Sequence, residues 1–313
     1  MDRILFGDNQ FFGINHLCEE KARAQSIYFQ NSESILKVLD SAYALNIKTF
    51  MCTTHGGMGE ICAHLRSNQQ NYWDFKIYPC MPYAHKYANM LTEIGALQTM
   101  KRFLSAGITG AVTKGGAVLV NSDFISMMQL LVDAEMSMFE GIKTPVVFLQ
   151  NVVTDLLLGM KMKDFFVSFS RYVGEKYHAE AGFITMNLPL LLDTLEEAGL
   201  RNPIICSSIN KIGFRMSNIQ AYEKVLNERE FRPVAMQVLA AGALKPVEAI
   251  EYICRFPKIE SILFGASSYE HIKQTKELIE MHSGRCKKNA NSSILEFPEP
   301  KAEQPCSSSR YSF

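Results

Sequence analysis

Proton-carrying and nucleophilic side chains follow short apolar runs at several places in this chain. Histidine, tyrosine and carboxylate groups in such settings exchange protons, and a desolvated lysine can form an imine. The run Ile4–Gly7 leads into DNQFFGINH, which offers Asp8, Asn9, Gln10, Asn15 and His16. The next leads into MCTTHGGMGE, with His55 and Glu60, and a third into PCMPYAHKYAN, with Tyr83, His85 and Lys86. Further along come Lys114, Gln150 with Asn151, Thr185 with Asn187, and SSINKIGFRM with Asn210, Lys211 and Arg215.

Each group has a chemistry to match. Tyr83, His55, His85 and Lys86 are the candidate proton donors and acceptors, since a cation beside a tyrosine lowers its pKa. Lys211 is the candidate for covalent imine chemistry. Asp8, Asn9, His16, Gln150, Asn210 and Arg215 are expected to bind substrate. His16, His55 and His85 fall after three consecutive apolar runs, yet no HxH or HExxH spacing supports a metal. They are expected to bond substrate or backbone instead, and no metal is assigned. Gly56, Gly57 and Gly59, ahead of a helix, serve equally well as anion cradle or plain joint.

These side chains converge only if the intervening elements place them together. Nine runs read as strands: 4–7, 48–53, 76–83, 108–113, 145–150, 182–187, 203–209, 234–239 and 261–265. Most are unbroken apolar stretches, which suits parallel strands covered on both faces. Between them lie helical patterns, as in 31–46, where Ile35, Leu39, Ala42 and Tyr43 recur at helical spacing behind a possible cap at Asn31 or Ser32. A second runs over 189–198, with Pro189 in its first turn and Gly199 as its stop. A third, over 122–139, is rich in methionine. Repeated strand–helix units point to a (β/α)8 TIM barrel, because no GxGxxG or P-loop pattern supports a doubly wound nucleotide fold. Nine candidates exceed eight places, so 108–113 is surplus, or else 4–7 is a lid strand. In such a barrel the site lies at the C-terminal strand ends.

The last two strands lead into VLAAGALKPVEAIEYI and SILFGASSYEHIKQ. Barrels often bind phosphate there through backbone amides, and Gly242, Gly265, Ser267 and Ser268 are small enough to allow it. This stretch resembles the aldo-keto reductases. GFITMNLPLLLDTLEEAG and IICSSIN are similar to that family's fifth and sixth strand units, so the likeness covers about half the chain. It implies a (β/α)8 barrel, an NADP(H) cofactor held by the last loops together with Asn187, and proton donation by a tyrosine. The family's catalytic identities are displaced: Met51 falls at the aspartate, Gly56 near the tyrosine, and Gln150 at the fourth-strand histidine. His271 occupies the place of the cofactor-contacting arginine, and Gln274-Thr275 replace a Glu-Asn pair.

Composition narrows the class further. The 313 residues carry 32 Lys plus Arg and 32 Asp plus Glu, a formal net charge of zero. That balance argues against a dedicated nucleic-acid or membrane-surface binder. No apolar run reaches the roughly 18 residues that span a bilayer, and the N-terminal residues lack a signal-peptide pattern. The eight cysteines are scattered without a CxxC pair, which suits reduced thiols in a soluble cytoplasmic protein. From Ser283 the chain turns rich in serine and proline, so residues 1–282 read as one domain and 283–313 as a flexible tail.

Three functions fit this reading. The first is an aldo-keto-reductase-like enzyme using NADP(H) with a non-standard catalytic set. The second is a non-redox lyase, aldolase or isomerase acting on a phosphorylated or sugar-like small molecule. The third is a non-catalytic binding protein with the tail as its interaction segment.

Overall fold

The computed structural model describes residues 1–12, 19–83 and 114–291. Eight parallel strands close into a barrel in sequence order: β1 (Ile4–Gly7), β2 (Thr49–Thr53), β3 (Lys76–Met81), β4 (Val146–Leu149), β5 (Glu180–Thr185), β6 (Ile204–Ser208), β7 (Arg232–Met236) and β8 (Ser261–Phe264). Eight of the nine expected runs are these strands. Residues 4–7 are a full barrel strand and not a lid, because Ile4, Leu5 and Phe6 pair with Ile262, Leu263 and Phe264 to close the ring. The ninth run, 108–113, lies outside the described residues, and Lys114 opens a helix, so it is not at a strand end.

Among the described residues the helices are α1 (Glu19–Tyr28), α2 (Ser32–Ala44), α3 (Met58–Ser67), α4 (Lys114–Met136), α5 (Asn151–Gly159), α6 (Lys163–Tyr177), α7 (Leu188–Glu197), α8 (Ile219–Glu228), α9 (Pro246–Ile253) and α10 (Tyr269–Asn291). Asparagine caps set three of the starts. Asn31, Asn187 and Asn218 each accept the backbone N–H three residues on, at 2.9, 3.4 and 2.9 Å. The last helix runs past Ser283 to Asn291, so the expected domain boundary falls inside it. Residues 292–313 of the expected tail lie outside the described residues.

Alternate strand residues split between two cores. Phe6, Phe50 and Phe183 face the helices, where Phe183 meets Phe166 edge-on with ring centres 5.5 Å apart. Leu5, Met51, Tyr78, Phe148, Cys206 and Val234 fill the barrel interior. Phe148 takes the space over Gly182: a Cβ there would sit 2.4 Å from its ring. At the N-terminal end, charges close the barrel. Arg232 donates to Glu260 at 2.8 and 3.0 Å and to Glu180 at 2.5 Å, while Lys76 reaches Asp2 at 3.0 Å.

One buried carboxylate ties the other end together. Glu135 of α4 has no solvent exposure. It accepts the Thr54 hydroxyl and the Tyr83 N–H, the latter at 3.0 and 3.1 Å, joining the segments that follow β2 and β3.

Two outcomes follow from this packing. Gly182→Ala is expected to lower unfolding free energy by about 1–3 kcal/mol through overpacking, and Phe148→Leu in the same chain should recover most of it. Denaturant titration of the three variants checks this; an equal loss in both Gly182 variants would remove Phe148 as the cause. Glu135→Ala should cost about 2–5 kcal/mol by stranding two buried donors, with Glu135→Gln intermediate. Thermal melts that place Ala and Gln level with the native chain would contradict it.

Candidate active site

The C-terminal strand ends enclose a cleft of about 630 Å³. Its apolar floor is the top of the barrel interior, with Met51, Cys80, Ile184, Met236 and Leu263. Polar groups stand on the wall: Asp8, Asn9 and Gln10 after β1, Tyr83 after β3, Gln150 and Asn151 at the start of α5, Arg215 after β6 and Gln237 after β7.

Asp8 is the buried charge-bearing group on that wall, 7% exposed. Its Oδ2 accepts both the N–H and the hydroxyl of Thr53, at 2.7 and 2.8 Å. Those bonds favour the carboxylate, yet burial outweighs them and pushes the carboxyl above its ordinary range. The backbone carbonyl of Asp8 anchors the turn that follows, accepting the Phe11 N–H at 2.8 Å. Gln10 is held beside it, donating to the Gly7 carbonyl at 2.8 Å. A Cβ on Gly265 would fall 2.0 Å from the Gln10 side-chain oxygen. Gly265 is therefore needed as room for a carboxamide, a different use from the expected approach of a cofactor phosphate.

The loop after β7 bends through left-handed backbone at Gln237, Ala240, Ala241 and Gly242, with φ of 54°, 47°, 56° and 94°. Arg215 has φ of 55°. Of the other non-glycine residues in this region, Asn46, Lys161 and His178 lie in the turns that end helices, where left-handed termination is routine, and Asn202 lies in the bend that leads into β6. Those at the cleft sit in no such turn. Side chains with a Cβ resist this conformation, so its concentration at one rim marks a functional candidate.

Of the expected site residues, Asp8, Asn9, Tyr83, Gln150, Arg215, Gly242 and Gly265 line the cleft. Others are placed elsewhere by their own bonding. Lys211 is about half exposed and ion-paired with Glu248 of α9, so it lacks the desolvation that imine chemistry needs. Asn210 is fully buried in its own loop, donating to the Phe214 carbonyl at 2.9 Å and accepting its N–H at 2.8 Å. Asn187 is the α7 cap, Ser268 accepts the His271 N–H at 3.4 Å as α10 begins, and neither these two nor Ser267 is among the lining residues. His55 stacks on Phe12 with ring centres 3.9 Å apart, and burial lowers its pKa. Its ring centre lies 6.1 Å from that of Tyr83, and His55 is not among the residues lining the cleft. The Tyr83 phenol is shifted upward, by burial first and by the Asp8 charge second, opposite to the activation expected for it. His16, His85 and Lys86 lie outside the described residues. No group of three His, Cys, Asp or Glu is placed to hold a metal among the described residues.

Sequence reasoning missed Glu135, Gln25 and Gln237. Glu135 did leave a signal, because it interrupts the apolar stripe Met128, Val132 and Met136 on one helix face. Five described cysteines, Cys52, Cys62, Cys80, Cys206 and Cys254, are buried free thiols. No described helix is long and apolar enough to cross a membrane.

No protein-family model matches the chain, and no curated protein does. Two solved structures from Pseudomonas aeruginosa, provisionally named as aldo-keto reductases, superpose at TM-scores of 0.55 and 0.57. Identity is 9% and 10%, and in both cases the match covers 90% of this chain and 90% of the other. At that identity the likeness speaks for architecture. The fold is an aldo-keto-reductase-like (β/α)8 barrel.

Proposed function

We propose that this chain is a small-molecule enzyme that transfers protons at the mouth of its barrel, with Asp8 as the acid–base group and a phosphorylated or sugar-like substrate. One observation carries the reading: a buried carboxyl lines the cleft, and burial lifts its pKa despite two hydrogen bonds to Thr53. A carboxyl moved toward neutrality can both take and return a proton under working conditions. Asn9, Gln10, Gln150 and Gln237 supply the paired donors and acceptors that hydroxyl groups require. Arg215 brings a cation to the same rim, and Gln237, Ala241 and Gly242 of the left-handed loop line the same cleft. Together they suit a ligand with hydroxyls along one edge and an anionic group at one end.

The fold also suggests a nicotinamide-dependent reductase. An NADP(H) cofactor supplies hydride to a carbonyl, and that reaction needs a proton donor poised to release. The residues here do not fit that half of the chemistry. By the sequence resemblance, Met51 and Gln150 fall at the family's acid and histidine positions, and burial makes Tyr83 hold its proton more tightly than an ordinary phenol. No hydride step is therefore assigned to this cleft.

The test is solvent exchange. The chain is incubated in deuterated buffer with a panel of monosaccharides and sugar phosphates, and deuterium incorporation is followed by NMR. At least one member is expected to exchange a carbon-bound hydrogen, with a loss of about 100-fold or more in Asp8→Asn. Micromolar NADPH binding with carbonyl reduction that survives Asp8→Asn would instead establish the reductase. Binding of panel members with no exchange would leave a non-catalytic protein.

Asp8 should also mark the stability profile. A carboxyl raised on folding stabilises the native state most below its unfolded pKa, and that contribution is lost as pH rises through its folded pKa. Asp8→Asn should therefore flatten the fall in melting temperature across that window and melt above the native chain beyond it. Parallel melting curves at every pH would contradict the assignment.

A further inference from the structure

A second concavity lies at the opposite end of the barrel from the cleft. It is a groove of about 280 Å³ whose lining includes Arg66 at the end of α3, Tyr72, Trp73 and Phe75 ahead of β3, and Ile142 and Lys143 ahead of β4. Trp73 is the chain's single tryptophan and is 69% exposed. Lys48 and Lys143 stand over its ring, 5.9 and 6.0 Å from the centre. Lys143 also donates to the Trp73 carbonyl at 2.7 Å, and Arg66 donates to the Met138 carbonyl at 2.9 Å, so both cations are fixed in position. Carboxylates stand nearby but are engaged: Asp74 pairs with Lys48 at 2.5 Å, and Asp40 accepts the Tyr72 hydroxyl. No carboxylate is among the lining residues.

Rigid aromatic shelves with flanking polar groups are the usual receptor for extended proline-containing segments, because such segments arrive with little conformational entropy to lose. This chain carries one. Residues 296–305 read EFPEPKAEQP, with three prolines and three glutamates against one lysine. The attachment point suits it too. Arg3, just ahead of β1, donates to Ser283 at 3.1 Å, so α10 reaches the same end of the barrel as the groove before ending at Asn291. An extended chain advances about 3.3 Å per residue, so residues 292–305 reach roughly 46 Å, enough to cross that end of the barrel.

We infer that the Trp73 groove is a docking site for the chain's own acidic, proline-containing segment 296–305. The prolines stack on Trp73 and Tyr72, and the glutamates face Arg66 and Lys143. This inference is independent of the cleft and its chemistry.

Trp73 is its own reporter. The native full chain is compared with a full-length variant carrying Glu296→Lys, Pro298→Gly, Glu299→Lys and Pro300→Gly, changes that leave residues 1–291 untouched. Docking predicts that the variant's tryptophan emission shifts to the red and that acrylamide quenches it about twofold more strongly. A synthetic peptide of residues 294–306 should reverse both changes in the variant, while binding the native chain at least about tenfold more weakly, because the tethered copy competes. Identical emission and quenching in the two chains, with no peptide effect at millimolar concentration, would overturn the inference. So would a native-chain signal that depends on protein concentration, since that reports exchange between copies.

Discussion

The candidate site depends on one carboxyl held where water is scarce. Asp8 leaves β1 and is gripped at once by the end of β2, through the N–H and hydroxyl of Thr53. Those two bonds fix one oxygen and the strand spacing together. They lower the cost of the charge without abolishing it, and the remaining desolvation keeps the proton affinity high. The pairing of Phe6 with Phe50 and Gly7 with Met51 sets that contact. A one-residue slip between these strands would turn the gripping residues to the helix layer.

The surroundings support the same carboxyl at two distances. Close in, Gln10 lies against Gly265 and the Gly7 carbonyl, so the turn carrying Asp8 is braced by the last strand as well as the second. Farther out, Glu135 binds the segments after β2 and β3 to α4. The two buried carboxylates divide the work. Glu135 is saturated by backbone and hydroxyl donors and holds position, whereas Asp8 is gripped on one oxygen and faces the cleft. Beneath the apolar floor, Phe148 occupies the space that Gly182 leaves. An apolar floor strengthens the electrostatic interactions above it.

Much of this was legible in the sequence, for a physical reason. Parallel strands covered on both faces must be apolar throughout, so runs such as IICSS and VVFL announced themselves, and eight of nine became the barrel. Strand ends in a barrel must converge, so the sequence alone groups Asp8, Gln150 and Arg215, and all three line the cleft. What the sequence could not show was competition for each side chain. Lys211 found Glu248, Asn210 closed its own turn, and Asn187 capped a helix. Each of those residues has the right type and spacing for a site, and each is taken by a local partner that spacing does not reveal. Gly265 is the reverse case: the glycine is legible in the sequence, and the reason for it, a carboxamide lying against its backbone, is not.

The account stands on the protonation of Asp8, and that can be read directly. Carbon-detected NMR on a chain labelled at the aspartate side-chain carboxyls, with Asp8→Asn used to identify the Asp8 signal, follows its titration in the folded protein. A midpoint displaced upward from that of an ordinary exposed aspartate is the predicted result. A midpoint at or below the ordinary value would mean that the Thr53 bonds outweigh burial, and Asp8 would then be a fixed structural anion without the proton-transfer role.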